Sequence, residues 1–375
     1  MKLPMKPTFP VLFLGLSVLI FNLSIFPEIQ QNTIRLDPDP GFGTGVDWGY
    51  YFPAGVDQSI GFLEDGPFYI ASSRRNLILN FSPRGVILSE FGRPGQGPGD
   101  LTTPNDVSIL DNQYIVVRER GDTRRISIFD LKGKFLKLIH TNVQHLACVS
   151  VGDGKIGIVT GQLNQNLRKD TVSLRDIHSG QVSTIATFEY EVASRSRVQI
   201  PNLHPTVYLA KINKDSLLVG FSGNENIAIY SKEGEKLTEF SMNLLRRKIR
   251  RSEIESFLMR QADAERNESR RQASKKMLRE SIGTMPLPDS YPVYHRLAVD
   301  SRDRILIYGH DTWLSGSPVV FRVYSKTGEY IGESRIDEGE YQSVYPQNFF
   351  RDWFYVSLRK KIDDGSLSFS RILFQ

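Results

Sequence analysis

Cysteine is almost absent. Cys148 is the only one in 375 residues, so the chain can form no internal disulfide and no multi-cysteine zinc or iron–sulfur site. It lies in the alternating run Leu146-Ala147-Cys148-Val149-Ser150-Val151, where a small buried hydrophobe in a strand is expected. Phosphate-cradling loops are absent as well. There is no Gly-Lys-Ser/Thr, and the glycine-rich stretch Phe91–Asp100 is spaced Gly95-x-Gly97-x-Gly99 rather than Gly-x-Gly-x-x-Gly. Pro104 and a following strand exclude the helix such a loop must open. No Gly-x-Ser-x-Gly elbow occurs. The six histidines, His140, His145, His178, His204, His295 and His310, have no close helical or strand partner that would make a metal-ligand pair, and they read as surface residues. Asp300-Ser301-Arg302-Asp303-Arg304 lacks the later carboxylate of a calcium loop and reads as a hairpin turn. No catalytic residue, metal or cofactor is expected.

Net charge is +5, and it is local. Asn243 to Ser281 holds 12 Lys and Arg against 6 Asp and Glu, a net of +6, which leaves −1 for everything else. This segment also lacks glycine and proline. Leu244–Ile249, Glu253–Arg260 and Gln272–Glu280 are rich in helix formers. Ile254, Phe257, Leu258 and Gln261 form a short stripe at helical spacing, and Met277 and Leu278 a second. One or two helices over the end of the fold are expected. Their basic surface suits an acidic partner or lipid headgroups. Arg118, Arg120, Arg124 and Arg125 read as a solvated basic loop. Nucleic acid is not an expected partner, because no recognition motif occurs.

At the N-terminus Lys2 and Lys6 precede an uncharged run from Pro7 to Pro27. As a helix, Phe9–Phe26 would be roughly 27 Å long, barely a bilayer core. No alanine occurs before Ala54, so a small-residue cleavage site is missing. Residues 1–30 therefore read as an uncleaved membrane anchor in preference to a cleaved signal peptide. The lysines stay inside and the body is exported, whether held at the membrane or released to the periplasm or exterior.

The body, 31–375, is a repeat. Phe81-Ser82-Pro83-Arg84-Gly85, Phe129-Asp130-Leu131-Lys132-Gly133, Tyr230-Ser231-Lys232-Glu233-Gly234 and Tyr324-Ser325-Lys326-Thr327-Gly328 are copies of one hairpin turn, and Asp176–Gly180 is a weaker copy. An aromatic ends a strand, Ser or Asp bonds back to the turn, and glycine takes the left-handed conformation. The turn glycines are 48, 47, 54 and 94 residues apart, a propeller-blade period with one insertion of about 40. A second strand stands before each turn, such as Gln113–Val117 or Ser216–Gly220, and a further strand precedes several. The expected fold is all-β, a six-bladed β-propeller of four-stranded blades. The helical insertion 243–281 falls between blades 4 and 5. The orphan strand Thr33–Leu36 closes the ring beside Leu367–Leu373.

A ligand of such a fold would lie at one end of the innermost strands. Asn105 and Asp106 start one of them, His295 and Arg296 another, and Arg93 and Gln96 edge the same face from the glycine-rich loop. These six are the candidate binding residues.

The box Phe91-Gly92-x-x-Gly95-Gln96-Gly97-Pro98-Gly99-Asp100, followed by Leu101-x-x-Pro104-Asn105-Asp106-Val107, resembles the joint between blades in NHL-like six-bladed β-propellers. It is most similar to the exported bacterial "6-bladed β-propeller" proteins. The resemblance covers nearly all of the chain after Thr33 apart from the helical segment. It implies an extracytoplasmic binding or scaffold role for a protein, peptide or glycan. Related propellers include metal-dependent lactonases and amidating lyases, so a hydrolase or lyase with a metal in the central channel is the alternative. Neither family's metal set can be matched onto residues here.

Overall fold

The computed structural model describes residues 31–35, 38–52, 59–120, 124–140, 142–192, 203–213, 215–263, 267–283, 286–309, 319–337, 341–350, 353–360 and 367–373. The expected anchor, residues 1–30, lies outside them. Among the described residues no helix is long and apolar enough to cross a membrane.

A first strand, β1 (Gln31–Arg35), and a short helix, α1 (Trp48–Tyr51), lead into the repeat. Blade one is β2 (Ile60–Phe62), β3 (Phe68–Ser72), β4 (Leu77–Phe81) and β5 (Ile87–Phe91). Blade two is β6 (Pro104–Leu110), β7 (Tyr114–Glu119), β8 (Arg125–Asp130) and β9 (Phe135–His140). Blade three is β10 (Gln144–Gly152), β11 (Lys155–Asn164), β12 (Leu167–Asp176) and β13 (Val182–Glu191), and blade four is β14 (Val207–Ile212), β15 (Ser216–Phe221), β16 (Asn226–Ser231) and β17 (Lys236–Ser241). Two helices follow, α2 (Arg251–Asp263) and α3 (Glu268–Ile282). Blade five is β18 (Arg296–Val299), β19 (Ile305–Tyr308), β20 (Val319–Tyr324) and β21 (Tyr330–Asp337). A last sheet holds β22 (Tyr341–Phe350), β23 (Trp353–Lys360) and β24 (Leu367–Leu373). Within every sheet successive strands pair antiparallel.

The second strands explain the architecture. Ile115, Val116 and Val117 are all buried. Ile115 and Val117 pack with Tyr69 and Ile78 of blade one, while Val116 joins Ile156 and Ile158 of blade three. Leu217 and Val219 likewise turn toward blade three, and Leu218 toward Ile305 and Ile307 of blade five. A strand covered on both faces needs an apolar residue at every position, so these runs are continuous rather than alternating. Each such side chain contributes about 1.5–3 kcal/mol of burial. The core is a stack of layers between blades.

The expected turns form. Gly85, Gly133, Gly180, Gly234 and Gly328 all have φ between 76° and 92°. The residue that bonds back is Ser82 in one turn, Asp130, Asp176, Ser231 and Ser325 in the others. Asp300 caps its hairpin through the Arg302 and Arg304 amides, as a turn would. Cys148 is buried in β10.

The expectation of six four-stranded blades is corrected. Among the described residues five blades have four strands or more, and the last sheet has three. The expected closure fails as well. β1 does not pair with β24; it adds in parallel to the outer strand of blade five, with Gln31 opposite Glu333 and Arg35 opposite Asp337. The edge of β24 is covered differently. The Asp39 amide donates to the Arg371 carbonyl, and the Arg371 guanidinium pairs with Asp39 at 2.7 Å and donates to the Pro83 carbonyl. Phe42, Trp48 and Phe52 then fill the seam against Phe68, Phe81 and Tyr355. One backbone hydrogen bond, a paired arginine and an aromatic plug cover part of this edge, and β1 covers the edge of β21 instead.

The segment 243–281 is not helical throughout, which corrects the expected helical insertion. Met242 and Leu244 are buried in the core of blades four and five, and Asn243 between them has φ 50°. This holds residues 243–250 out of helix. They run beside 289–291 instead, with Ile249 donating to the Asp289 carbonyl and Tyr291 to the Arg247 carbonyl. α2 and α3 pack on each other and on Leu203 and Tyr291 through Ile254, Phe257, Leu258, Leu278 and Ile282.

Candidate functional site

In each blade the first strand starts, the second ends, the third starts and the fourth ends on the same side. Antiparallel alternation therefore gathers the interblade joints, the loops between second and third strands, and α2 and α3 on one face. All six candidate residues belong to it. Blade three rises above this face. Beyond Gly161, the partner of Gln144, β11 continues for three residues paired only with β12, and β13 follows to Glu191. Three residues of strand add about 10 Å.

The glycine-rich joint is built on a buried ion pair. The Glu119 carboxylate accepts from the Thr102 amide at 2.7 Å and lies 3.3 Å from the Arg125 guanidinium. Arg125 in turn donates to the carbonyls of Gly97 and Asp100. Burial pushes the Glu119 carboxyl up, against the Thr102 hydrogen bond and the Arg125 charge that pull it down. Arg93 pairs with Asp100 at 2.6 Å, and the second Asp100 oxygen accepts from the Gly97 amide. A Cβ on Gly95 would lie 2.4 Å from that carboxylate. The loop thus turns inward on its own carboxylate, and a second anion has no cradle there. Arg93 itself is 79% exposed, and Gln96 is exposed beside it.

At the start of β6, Asn105 donates to Asp106 at 2.8 Å, and Arg118 donates to the other Asp106 oxygen at 2.5 Å. Arg118 reaches on to the His145 carbonyl of blade three at 3.0 Å. The expectation of a solvated basic loop is corrected for Arg118 and Arg125, since both side chains are only 6% exposed. Arg118 lies within β7 and Arg125 opens β8, and each meets a carboxylate there. Sequence reasoning also missed His145 as a buried group. Its pKa falls to about 4, first through burial and then through the charges of Arg118 and Arg175. The Cys148 thiol, beside the same pair, is pushed up to about 12 by burial. The alternating pattern of β10 was the available signal, because it places His145 and Cys148 inside a strand.

Arg296 starts β18, and His295 precedes it. The His295 amide donates to the Tyr308 carbonyl, its carbonyl accepts from the Tyr208 hydroxyl, and its ring meets Tyr308 edge-on at 5.4 Å. The structure brings Asn105 to Asp106 and Arg93 to Asp100. It does not join His295 and Arg296 to either pair. His310 lies outside the described residues. Among the described residues no three His, Cys, Asp or Glu side chains converge as a metal cluster.

The protein has the β-propeller fold, and two of the solved structures it resembles are bacterial. It superposes on a member of the DUF4221 family from Bacteroides vulgatus with a TM-score of 0.52 at 13% identity, over 90% of this chain and 94% of that one. It superposes on a Bacteroides fragilis protein inferred to be exported with a TM-score of 0.50 at 10% identity, over 92% and 99%. No known family model matches the sequence, and neither does any curated protein.

Proposed function

We propose that this protein is an exported propeller, held at the membrane by residues 1–30, that binds a protein, peptide or glycan without chemistry. The binding face is the one where the inner strands begin. The observation that carries this reading is the condition of Asp106. Its two oxygens accept from Asn105 and Arg118, and Arg118 reaches on to the His145 carbonyl, so the carboxylate serves to tie blade two to blade three. Each oxygen keeps a lone pair, but the buried Arg118 guanidinium beside it opposes the approach of a metal cation, and the side chain is held as a structural tie. The raised hairpin of blade three and the helical pair give the face relief on which Arg93, Gln96, Asn105 and Arg296 can meet a partner. Two structural relatives of bacterial origin, one of them inferred to be exported, support the setting. So does the likeness of the Phe91–Val107 joint to NHL-like exported propellers. The exposed basic side chains of α3, Arg270, Lys276 and Arg279, suit an acidic region of the same partner.

A photo-crosslinking residue at position 93 tests the face, with one at Lys132 on the opposite face as control. The full chain is irradiated in cells that express it, and a recovered adduct is purified and titrated against N105A and H295A variants. A partner captured from position 93 whose binding weakens about tenfold in either variant supports the reading. Equal capture from position 132, capture from neither, or unchanged binding overturns it.

A further inference from the structure

We propose that the cavity between the end of blade four and blade five binds a small aromatic acid, one carboxylate carried on a ring. The cavity encloses about 660 Å³, within the range of small-ligand sites. Its floor is apolar. Met242, Leu244, Val293, Tyr291 and Tyr324 all face it and are each less than a tenth exposed. The floor is also fixed, because the Tyr324 hydroxyl donates to the Met242 carbonyl at 3.1 Å. At the mouth stands Tyr330, 40% exposed, with its ring edge-on to Tyr324 at 5.5 Å. A further ring packed against this pair can add an edge-to-face or offset contact that an alkyl chain cannot.

Three guanidinium groups face the cavity and, among the described residues, no carboxylate does. Arg247 is paired with Glu253 at 2.6 Å, and Arg322 lies 3.4 Å from Glu333. Arg246 differs. It donates to the Gly223 carbonyl, a neutral acceptor, and no carboxylate among the described residues balances its charge. One uncompensated positive charge therefore stands over an apolar, aromatic floor. A guanidinium fork matches a single carboxylate, and among the described lining residues the other two guanidinium groups each already face a carboxylate. This site shares no residue with the Asp106 cluster and does not depend on the reading of the axial face.

Calorimetry on the detergent-purified full chain tests it with three probes: 3-phenylpropionate, its uncharged amide 3-phenylpropanamide, and propionate, which lacks the ring. The aromatic acid is expected to bind at least about tenfold tighter than either of the others. R246Q is expected to abolish the preference for acid over amide, and Y330A to weaken both aromatic probes. Arg246 is exposed, so thermal unfolding should be unchanged in R246Q and will show that the variant folds. The proposal is overturned if acid and amide bind alike, if propionate matches 3-phenylpropionate, if R246Q keeps the preference, or if none of the three binds at millimolar concentration.

Discussion

Arg118 near the end of β7 and Arg125 at the start of β8 stand on the face that carries the joints, and each meets a carboxylate that burial alone would penalise. His145 completes this layer and gives it a pH signature. Its neutral ring is held by burial, with Arg118, Arg175 and His140 opposing protonation from three other strands. In the unfolded chain the ring titrates near its ordinary value, and in the folded chain near 4. Between those values the unfolded state binds the extra proton, so stability is full above about pH 6.5 and falls as pH drops toward 4. The loss amounts to about 3 kcal/mol. Glu119 runs the opposite way, since its raised pKa favours the folded state as pH falls. Comparison with H145Q cancels that effect. Chemical denaturation at pH 7, 5.5 and 4 is expected to show the wild type losing about 3 kcal/mol more than the variant, and parallel curves would refute the account. At this scale the sequence told less than at any other. Asn105 and Asp106 are legible because strand starts can be located, whereas Arg118 reads like any surface arginine. Its burial depends on a carboxylate 12 residues away across a hairpin, and no local pattern carries that.

The hairpin turn is the element the sequence displayed most openly, because one conformational demand recurs five times. The structure adds a second demand that the turn alone does not show. A Cβ on Gly133 would lie 2.4 Å from the ring of Phe91, which ends the outer strand of the preceding blade. One on Gly328 would lie 2.3 Å from Phe240, in the same position on blade four. The turn glycine is thus also the contact point between blades. Gly180 has the same left-handed φ, 78°, but open space around it. G180A should cost about 1–2 kcal/mol, the conformational penalty alone. G133A should cost about 2–4 kcal/mol, because the Phe91 ring must also move. Thermal unfolding of the two variants separates the effects. Equal losses would mean that Phe91 gives way freely and that blades do not register on these glycines. The 243–250 stretch shows the reverse case. Its composition favours helix, but the burial of Met242 and Leu244 overrides propensity.

At the scale of the whole molecule, a period of about 48 residues identifies blades but does not say which edge a stray strand will cover. Both β21 and β24 offer an outer edge, and β1 can satisfy its amides and carbonyls on either. The choice is made by Asp39 and Arg371, whose pairing is a contact across 332 residues. Once that pair and the Phe42–Trp48–Phe52 plug occupy the seam, β21 is the edge left for β1. Amide exchange distinguishes the two arrangements. Successive amides of a strand point to opposite sides, so of T33P and I34P only one removes a hydrogen bond to β21. That variant should raise exchange at alternate amides of Tyr330–Asp337 by about tenfold or more, an opening free energy lower by about 1.4 kcal/mol. Leu367–Leu373 should keep its protection in both variants, because Asp39, not β1, meets that edge. If protection is lost from Leu367–Leu373 instead, β1 closes the last sheet and does not pair with β21. If blade five responds as expected, the N-terminal segment joins the body at the rim of blade five. The expected membrane anchor then leads directly to the blade that borders α2, α3 and the Arg246 cavity. The basic segment and the point of attachment would lie on neighbouring parts of one rim, although 210 residues separate Arg35 from Leu245 in the chain.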